Sequence, residues 1–259
     1  MNRIYFFSGT GNSLQVAKTI AEALPSCELV AICKDTPLEV PANPERLGFV
    51  FPNYANGVPR MVEAFIRSCK LPAQNGTYLF AAVTYGGVAG NALARIGGLL
   101  NGRAWRLQYG AAIRSYPNAV IFYPMLRGVR FFTRLGTKAS ARAAKDIAEK
   151  RGVAISASDE AAQKRHESFM AKLLDRESGF WANAGCASCG LCEAVCPAGN
   201  ISLENGAPVF GYCCEGCVAC IQHCPKQAIQ YRDKTEKRRR YTHPQAGAHE
   251  LLRYREGAR

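Results

Sequence analysis

Arg3-Ile4-Tyr5-Phe6-Phe7-Ser8-Gly9-Thr10-Gly11-Asn12-Ser13-Leu14 passes from an apolar run, through a small hydroxylated loop, into helical spacing. The run Arg3–Phe7 lacks alternation, as expected of a parallel strand buried on both faces. Leu14, Ala17, Ile20, Ala21 and Leu24 then recur at helical spacing, and Pro25 stops the helix. The same change of period repeats downstream. Glu28–Ile32, Leu47–Phe51, Thr77–Tyr85 and Arg106–Arg114 read as strands. Met61, Val62, Phe65, Ile66 and Cys69 line a helix that Pro59 can start, and Leu93, Ile96, Leu99 and Leu100 line another. Strand–helix alternation of this kind predicts a parallel sheet covered on both faces. Thr137–Arg151 reads as a further helix. Asp159–Leu174 reads as a connecting helix with Ser158 as its N-cap. Residues 116–135 mix aromatics with Arg127, Arg130 and Arg134 and give no clear period.

The loop Ser8, Gly9, Thr10, Gly11, Asn12, Ser13 enters a helix N-terminus. Such a loop offers backbone N–H groups and a positive dipole end to an anion. It has no lysine, so it is not a Walker A loop, and its glycines do not make the G-x-G-x-x-G of dinucleotide folds. An uncharged, hydroxyl-rich loop suits a terminal phosphate monoester such as that of FMN. A plain strand-to-helix turn is the alternative at this point.

The 12 cysteines are unevenly placed, nine of them between Cys186 and Cys224. Cys186, Cys189, Cys192 and Cys196 precede Pro197. Cys214, Cys217, Cys220 and Cys224 precede Pro225. Both runs are C-x₂-C-x₂-C-x₃-C-P, offset by 28 residues at every position, and Ile201 and Ile229 match as well. Three cysteines at x₂ spacing can wrap one face of an iron–sulfur cubane, while the fourth points away. Structural zinc more often uses two separated cysteine pairs and does not explain the Cys-Pro endings. Cys213 breaks the spacing and reads as a non-ligand. Cys27, Cys33 and Cys69 read as small hydrophobes.

The repeat resembles the bacterial two-cluster ferredoxins, over roughly residues 184–231. In those proteins the fourth cysteine ligates the other cluster. The resemblance implies one 4Fe–4S cluster on Cys186, Cys189, Cys192 and Cys224, and a second on Cys214, Cys217, Cys220 and Cys196. The N-terminal half resembles flavodoxins, whose first loop has the Ser/Thr-x-Thr-Gly-x-Ser/Thr form. That likeness implies that Pro52, Asn53, Tyr54, Ala55, Asn56 and Gly57 after the third strand, and Thr84, Tyr85, Gly86, Gly87 and Asn91 after the fourth, flank an FMN ring. Tyr54 and Tyr85 are the aromatic candidates at the ring. The order of the two parts resembles a family of flavodoxin–ferredoxin fusions from anaerobes. Pro117-Asn118 keeps part of that family's Met-Pro-Asp/Asn segment, with Tyr116 in place of methionine.

The expected fold is therefore α/β: a flavodoxin-like doubly wound parallel sheet with a C-terminal α+β two-cluster ferredoxin domain. The expected division is 1–153 for the FMN part, 154–180 for a helical linker, 181–232 for the ferredoxin part and 233–259 for a basic tail. The expected function is electron transfer between FMN, two 4Fe–4S clusters and a redox partner protein with an acidic surface. The alternative is a reductase whose flavin meets a small organic substrate. A redox-responsive nucleic-acid binder is a third idea; nucleic acid is not an expected partner.

The formal charge of +13 falls to about +7 once two clusters of about −2 each and a phosphate of about −2 are counted. Lys237–Arg240 then read as a solvated run or as a steering patch for a partner. The first residues read as a strand and not as a signal peptide, and no run reaches membrane-spanning length. A cytoplasmic location is expected, with the cysteines as metal ligands or free thiols. His166, His223, His243 and His249 are too dispersed for a metal site, although His223 beside Cys224 could hydrogen-bond a cluster ligand. No Ser-His-Asp or paired-carboxylate arrangement supports hydrolysis.

Overall fold

The computed structural model describes residues 1–155, 159–174 and 179–256. Five strands form the main sheet: β1 (Asn2–Phe6), β2 (Cys27–Ala31), β3 (Arg46–Pro52), β4 (Tyr78–Tyr85) and β5 (Tyr109–Arg114). All pairings are parallel, in the order β2-β1-β3-β4-β5. This is the flavodoxin-like doubly wound order, with the strand order reversing between β1 and β3. Helices α1 (Asn12–Glu22) and α4 (Val129–Ala148) cover one face, where Leu14, Ile20 and Ile147 pack on Ile4, Phe6 and Val50. Helices α2 (Arg60–Ser68) and α3 (Ala92–Asn101) cover the other, where Phe65, Ile66, Ile96 and Leu100 pack on Phe49 and Phe51. β5 begins three residues later than the apolar run suggested, at Tyr109.

Helix α4 begins at Val129, well before Thr137. Its first turns do not face the sheet. Phe132 instead meets Tyr116 edge-on at 5.8 Å, while Phe131 is exposed. The apolar stripe therefore changes direction within one helix, which hid its start. Helix α5 (Glu160–Leu174) follows. The expected N-cap Ser158 lies outside the described residues, and Asp159 makes the capping contacts. Its Oδ1 accepts from the N–H groups of Ala161 (2.9 Å) and Ala162 (3.2 Å).

The cysteine-rich segment carries its duplication into three dimensions. Helix α6 (Leu191–Ala194) and strand β7 (Ile201–Glu204) in the first copy correspond to α7 (Ala219–His223) and β9 (Ile229–Tyr231) in the second. Strand β6 (Phe180–Ala182) pairs antiparallel with β9, and β7 pairs with β8 (Ala207–Phe210). Left-handed backbone recurs at matched positions: Ser188 with Gly216, Gly190 with Val218, and Gly199 with Gln227. Val218 is β-branched and still adopts φ 55°, a conformation such residues rarely hold. Repeated left-handed turns of this kind point backbone N–H groups inward, forming anion-binding nests.

The residues after Arg232 do not form a solvated tail. Arg238 donates to the Val120 carbonyl at 2.6 Å, and Tyr241, His243, Ala246, Leu251 and Arg255 are buried. Helix α8 (Ala248–Glu256) packs on β2, with Leu251 inside the sheet's apolar layer and Tyr254 edge-on to Phe6 at 5.6 Å. Charge composition misled here because the basic side chains surround buried ones spaced too irregularly to show a period. Among the described residues, no helix is long and apolar enough to cross a membrane.

Candidate functional site

The loops after β1, β3, β4 and β5 meet at the carboxyl ends of the strands, where doubly wound sheets bind ligands. They enclose a cavity of about 390 Å³, within the range of cofactor sites. Ser8, Gly9, Thr10, Asn12 and Ser13 line it from the first loop. Pro52, Asn53, Tyr54, Ala55 and Asn56 line it from the second, and Thr84, Tyr85, Gly86 and Gly87 from the third.

Three expected residues stand behind this lining. Gly11, at φ +97°, packs under the C-terminal segment, where an added Cβ would lie 2.0 Å from the Ala246 carbonyl oxygen. Gly57 packs under the His166 ring. Asn91 braces the second and third loops. Its N–H donates to the Asn56 carbonyl at 2.9 Å, and its Oδ1 accepts from the Asp159 N–H at 3.0 Å.

The first loop is held by its own hydroxyls. Ser8 Oγ accepts from the Gly11 N–H (3.1 Å), Ser13 Oγ bonds Thr84 Oγ1 (2.8 Å), and Asn118 Nδ2 donates to Thr10 Oγ1. Gly11 gives α1 no side-chain cap. The first N–H groups of a helix have no intrahelical partner, so this N-terminus, opening on the cavity, suits an anion. A second orphan lies on the loop after β3. Asn53 Nδ2 donates to the Val88 carbonyl at 2.8 Å, while its buried Oδ1 has no partner. An unpartnered acceptor on a residue that lines the cavity fits a ligand N–H such as a flavin ring provides. The residues present thus fit FMN.

Two further segments complete the wall. Ser115–Ala119, Phe122 and Tyr123 cover one side, and Phe169 of α5 stands 5.5 Å from Phe122. Gly216, Cys217 and Val218 form another side. The cysteine segment therefore touches the first loop directly. A Cβ on Gly9 would lie 2.2 Å from the Cys217 carbonyl oxygen. His223 Nε2 bonds the Gly9 carbonyl at 3.0 Å, so it serves this junction and not a cysteine. Arg60 donates to the Cys214 carbonyl, and the Met61 N–H at the start of α2 donates to Glu215 at 3.2 Å. Tyr54 lines the cavity while its hydroxyl reaches the cysteine loop. Burial, with the charges of Cys217, Glu215 and Cys214, raises that hydroxyl's pKa well above the usual value.

The eight repeat cysteines sort into two groups. Cys186, Cys189, Cys192 and Cys224 line one small cavity. Burial raises the Cys192 thiol, and the charges of Cys224 and Cys186 add to the rise. Burial likewise raises Cys220, with Cys217, Cys214 and Cys196 adding. Each group thus joins one triplet with the fourth cysteine of the other copy. Thiols gathered this way oppose one another's ionisation, and bound iron removes that opposition by deprotonating them. Among the described residues, no three His, Cys, Asp or Glu side chains close around a single ion; a cubane holds its ligands farther apart than one ion does. Backbone N–H groups also reach the sulfurs, from Asn200 to Cys196 and from Ala228 to Cys224, both at 3.2 Å. The donor set fits iron–sulfur clusters. Cys213 is exposed, Cys69 is buried, and Cys27 and Cys33 are half-buried.

His243 anchors the C-terminal segment to the first loop, its N–H donating to the Thr10 carbonyl at 2.8 Å. Its Nδ1 accepts from the Gln245 N–H at 3.2 Å. Burial, aided by the Lys18 charge, lowers its pKa to about 4. The unfolded chain then binds the extra proton between about pH 6.5 and 4. His243 contributes its full share of stability above about pH 6.5 and loses it as pH falls through that window. Thermal melts from pH 7 to 5 should show a shallower fall for His243→Gln than for the parent. An equal fall would contradict this.

No family model matches the chain. Among curated proteins, it is 36% identical over 50 residues to polyferredoxin protein MvhB of Methanothermus fervidus, covering 19% of this chain and 12% of that protein. It is 43% identical over 53 residues to pyruvate synthase subunit PorD of Thermotoga maritima, covering 20% and 54%. The chain thus spans at most about half the length of these two relatives. Among solved structures, a Streptococcus pneumonia flavodoxin aligns over 56% of this chain and 98% of its own, at 15% identity and TM-score 0.38. An FMN-dependent NADH-azoreductase from Bacillus anthracis aligns over 57% and 100%, at 11% identity and TM-score 0.40. The chain joins a flavodoxin-like parallel sheet, defined by its strand order, to a duplicated ferredoxin-type cysteine segment.

Proposed function

We propose that this protein is an electron-transfer iron–sulfur flavoprotein, holding FMN in the strand-end cavity and one 4Fe–4S cluster in each cysteine group. The observation that carries the reading is the junction of Gly9 with Cys217. It makes one cysteine loop part of the cavity wall. When bound, FMN exchanges one or two electrons and each cluster exchanges one.

The chain's residues supply position. The first loop and the α1 N-terminus take the phosphate, and Asn53 Oδ1 accepts from the ring. Tyr54 and Cys217 both line the cavity, which brings the group Cys196, Cys214, Cys217 and Cys220 to its wall. The group Cys186, Cys189, Cys192 and Cys224 lies farther along, with Cys189 exposed. This arrangement supports the order flavin, second-triplet cluster, first-triplet cluster, partner. The reductase reading has one observation in its favour, the cover of Phe122, Tyr123 and Phe169. Oxidation of the reduced protein by small quinones in stopped flow tests it; rates no faster than those of free FMN leave the carrier reading alone.

Anaerobic reconstitution should give about eight iron and one FMN per chain. Four iron, or no flavin, overturns the assignment. The flavin pose has its own test. A Cβ on Gly87 meets nothing within 4 Å, so Gly87→Val should leave apoprotein stability within about 0.5 kcal/mol while weakening FMN binding. Asn53→Ala should weaken it roughly three- to tenfold, the worth of one hydrogen bond. Unchanged FMN affinity by fluorescence titration in both variants would displace the flavin from this cavity.

A further inference from the structure

The C-terminal segment sends two guanidinium groups back to the cysteines. Arg255, on α8, is 8% exposed. Its Nη2 makes a long contact of 3.4 Å to the Ser8 carbonyl, and its Nη1 one of 3.5 Å to the Ala194 carbonyl. It lines a cavity together with Cys33 and Cys196. Asp35 and Glu193 line that cavity as well, and the charges of Cys217, Cys33 and Cys196 favour the cation. Arg240 is half-buried. Its Nη1 donates to the carbonyls of Thr235 (2.9 Å) and Arg238 (2.8 Å), and its Nη2 to Gln230 Oε1 (3.1 Å) and, at 3.3 Å, to the Ile229 carbonyl. Its buried Nε has no partner, and the charge that reaches it is that of Cys224.

A buried cation is costly unless negative charge stands near it, and a guanidinium does not escape that cost by losing its proton. Arg255 shares its cavity with Cys196, and Arg240 bonds the carbonyl of Ile229, which lines the cavity of Cys186, Cys189, Cys192 and Cys224; iron would turn these thiols into thiolates. Each lies on a different group: Arg255 at Cys196 and Cys217, Arg240 at Cys224.

We propose that Arg255 and Arg240 separately set the reduction potentials of the two clusters. Arg255 acts on the cluster of Cys196, Cys214, Cys217 and Cys220, and Arg240 on that of Cys186, Cys189, Cys192 and Cys224. The proposal rests on the cluster assignment above. Reduction adds one electron from an external reductant, breaks no bond and needs no proton, so the site gains one negative charge. A fixed cation in a medium of low dielectric stabilises the more negative state and raises the potential. Arg255 is the more deeply buried, so its effect is the larger, since exposed charges are screened.

The test is a mediated dithionite titration of the reconstituted full-length protein, followed by electron paramagnetic resonance, after iron and sulfide are counted. Arg255→Gln should make one cluster at least tenfold harder to reduce, about 59 mV downward for one electron, and leave the other unmoved. Arg240→Gln should lower the other cluster by a smaller amount. Unmoved potentials in both variants, or both variants acting on one signal, overturn the proposal. If Arg255→Gln loses its cluster, Arg255→Lys decides. Retention at the parental potential supports a role for the charge; loss again makes the side chain a packing element and overturns it. Absence of eight iron in the unsubstituted protein would instead strike the cluster assignment.

Discussion

Cys224→Ser should cost the protein the cluster on the first cysteine triplet, although Cys224 lies in the second copy. Iron should fall from about eight to about four per chain. Cys196→Ser should do the same to the cluster beside the flavin cavity. The prediction follows from the grouping of Cys186, Cys189, Cys192 and Cys224 around one cavity, and of Cys196 with Cys214, Cys217 and Cys220. Iron analysis cannot separate the two variants, but flavin reduction can. With Cys224→Ser, electrons from reduced FMN should still reach the remaining cluster at the parental rate. With Cys196→Ser, that transfer should slow by orders of magnitude. The reverse result would mean that each run of four cysteines holds its own cluster.

Gly9→Val should be among the most damaging single changes outside the cysteines. Its first added carbon would lie 2.2 Å from the Cys217 carbonyl oxygen and 3.1 Å from the Cys217 Cβ. Both obstacles belong to a loop pinned by Arg60 and by the Met61 N–H, so neither can yield cheaply. Overpacking of this kind costs on the order of 3 kcal/mol. The strain falls on a junction shared by the phosphate-type loop and one cysteine group, so FMN and that cluster should be lost together. Absorbance and iron content of the purified variant measure both. Retention of flavin with loss of four iron would show that the two sites are mechanically independent.

The sheet was legible because parallel strands buried on both faces become unbroken apolar runs, as in Leu47–Phe51 and Thr77–Tyr85. The cysteine repeat was legible because ligation fixes spacing. What escaped reading was set by contacts between distant parts of the chain. Gly9 and Gly11 look like phosphate-loop glycines, yet their missing side chains also admit Cys217 and Ala246. The start of α4 escaped because its first turns pack on Tyr116 and not on the sheet. The C-terminal segment escaped because Lys237–Arg240 dominate its composition, while Tyr241, His243, Ala246 and Leu251 bury at intervals too irregular for one period. Arg255 carried no local signal at all; only the fold brings it to the cysteines.

Ala246 and Leu251 sit in the same apolar layer as Ile4, Phe6 and Leu14, and that has a consequence for synthesis. β1 and α1 emerge from the ribosome long before Ala246 and Leu251, the residues that finish coating them. The nascent N-terminal half must wait with an uncovered patch through the making of both cysteine runs. The helix that ends that wait also carries Arg255 into place, so the segment that finishes the coat of β1 and α1 is also the one that delivers a cation to the cysteines.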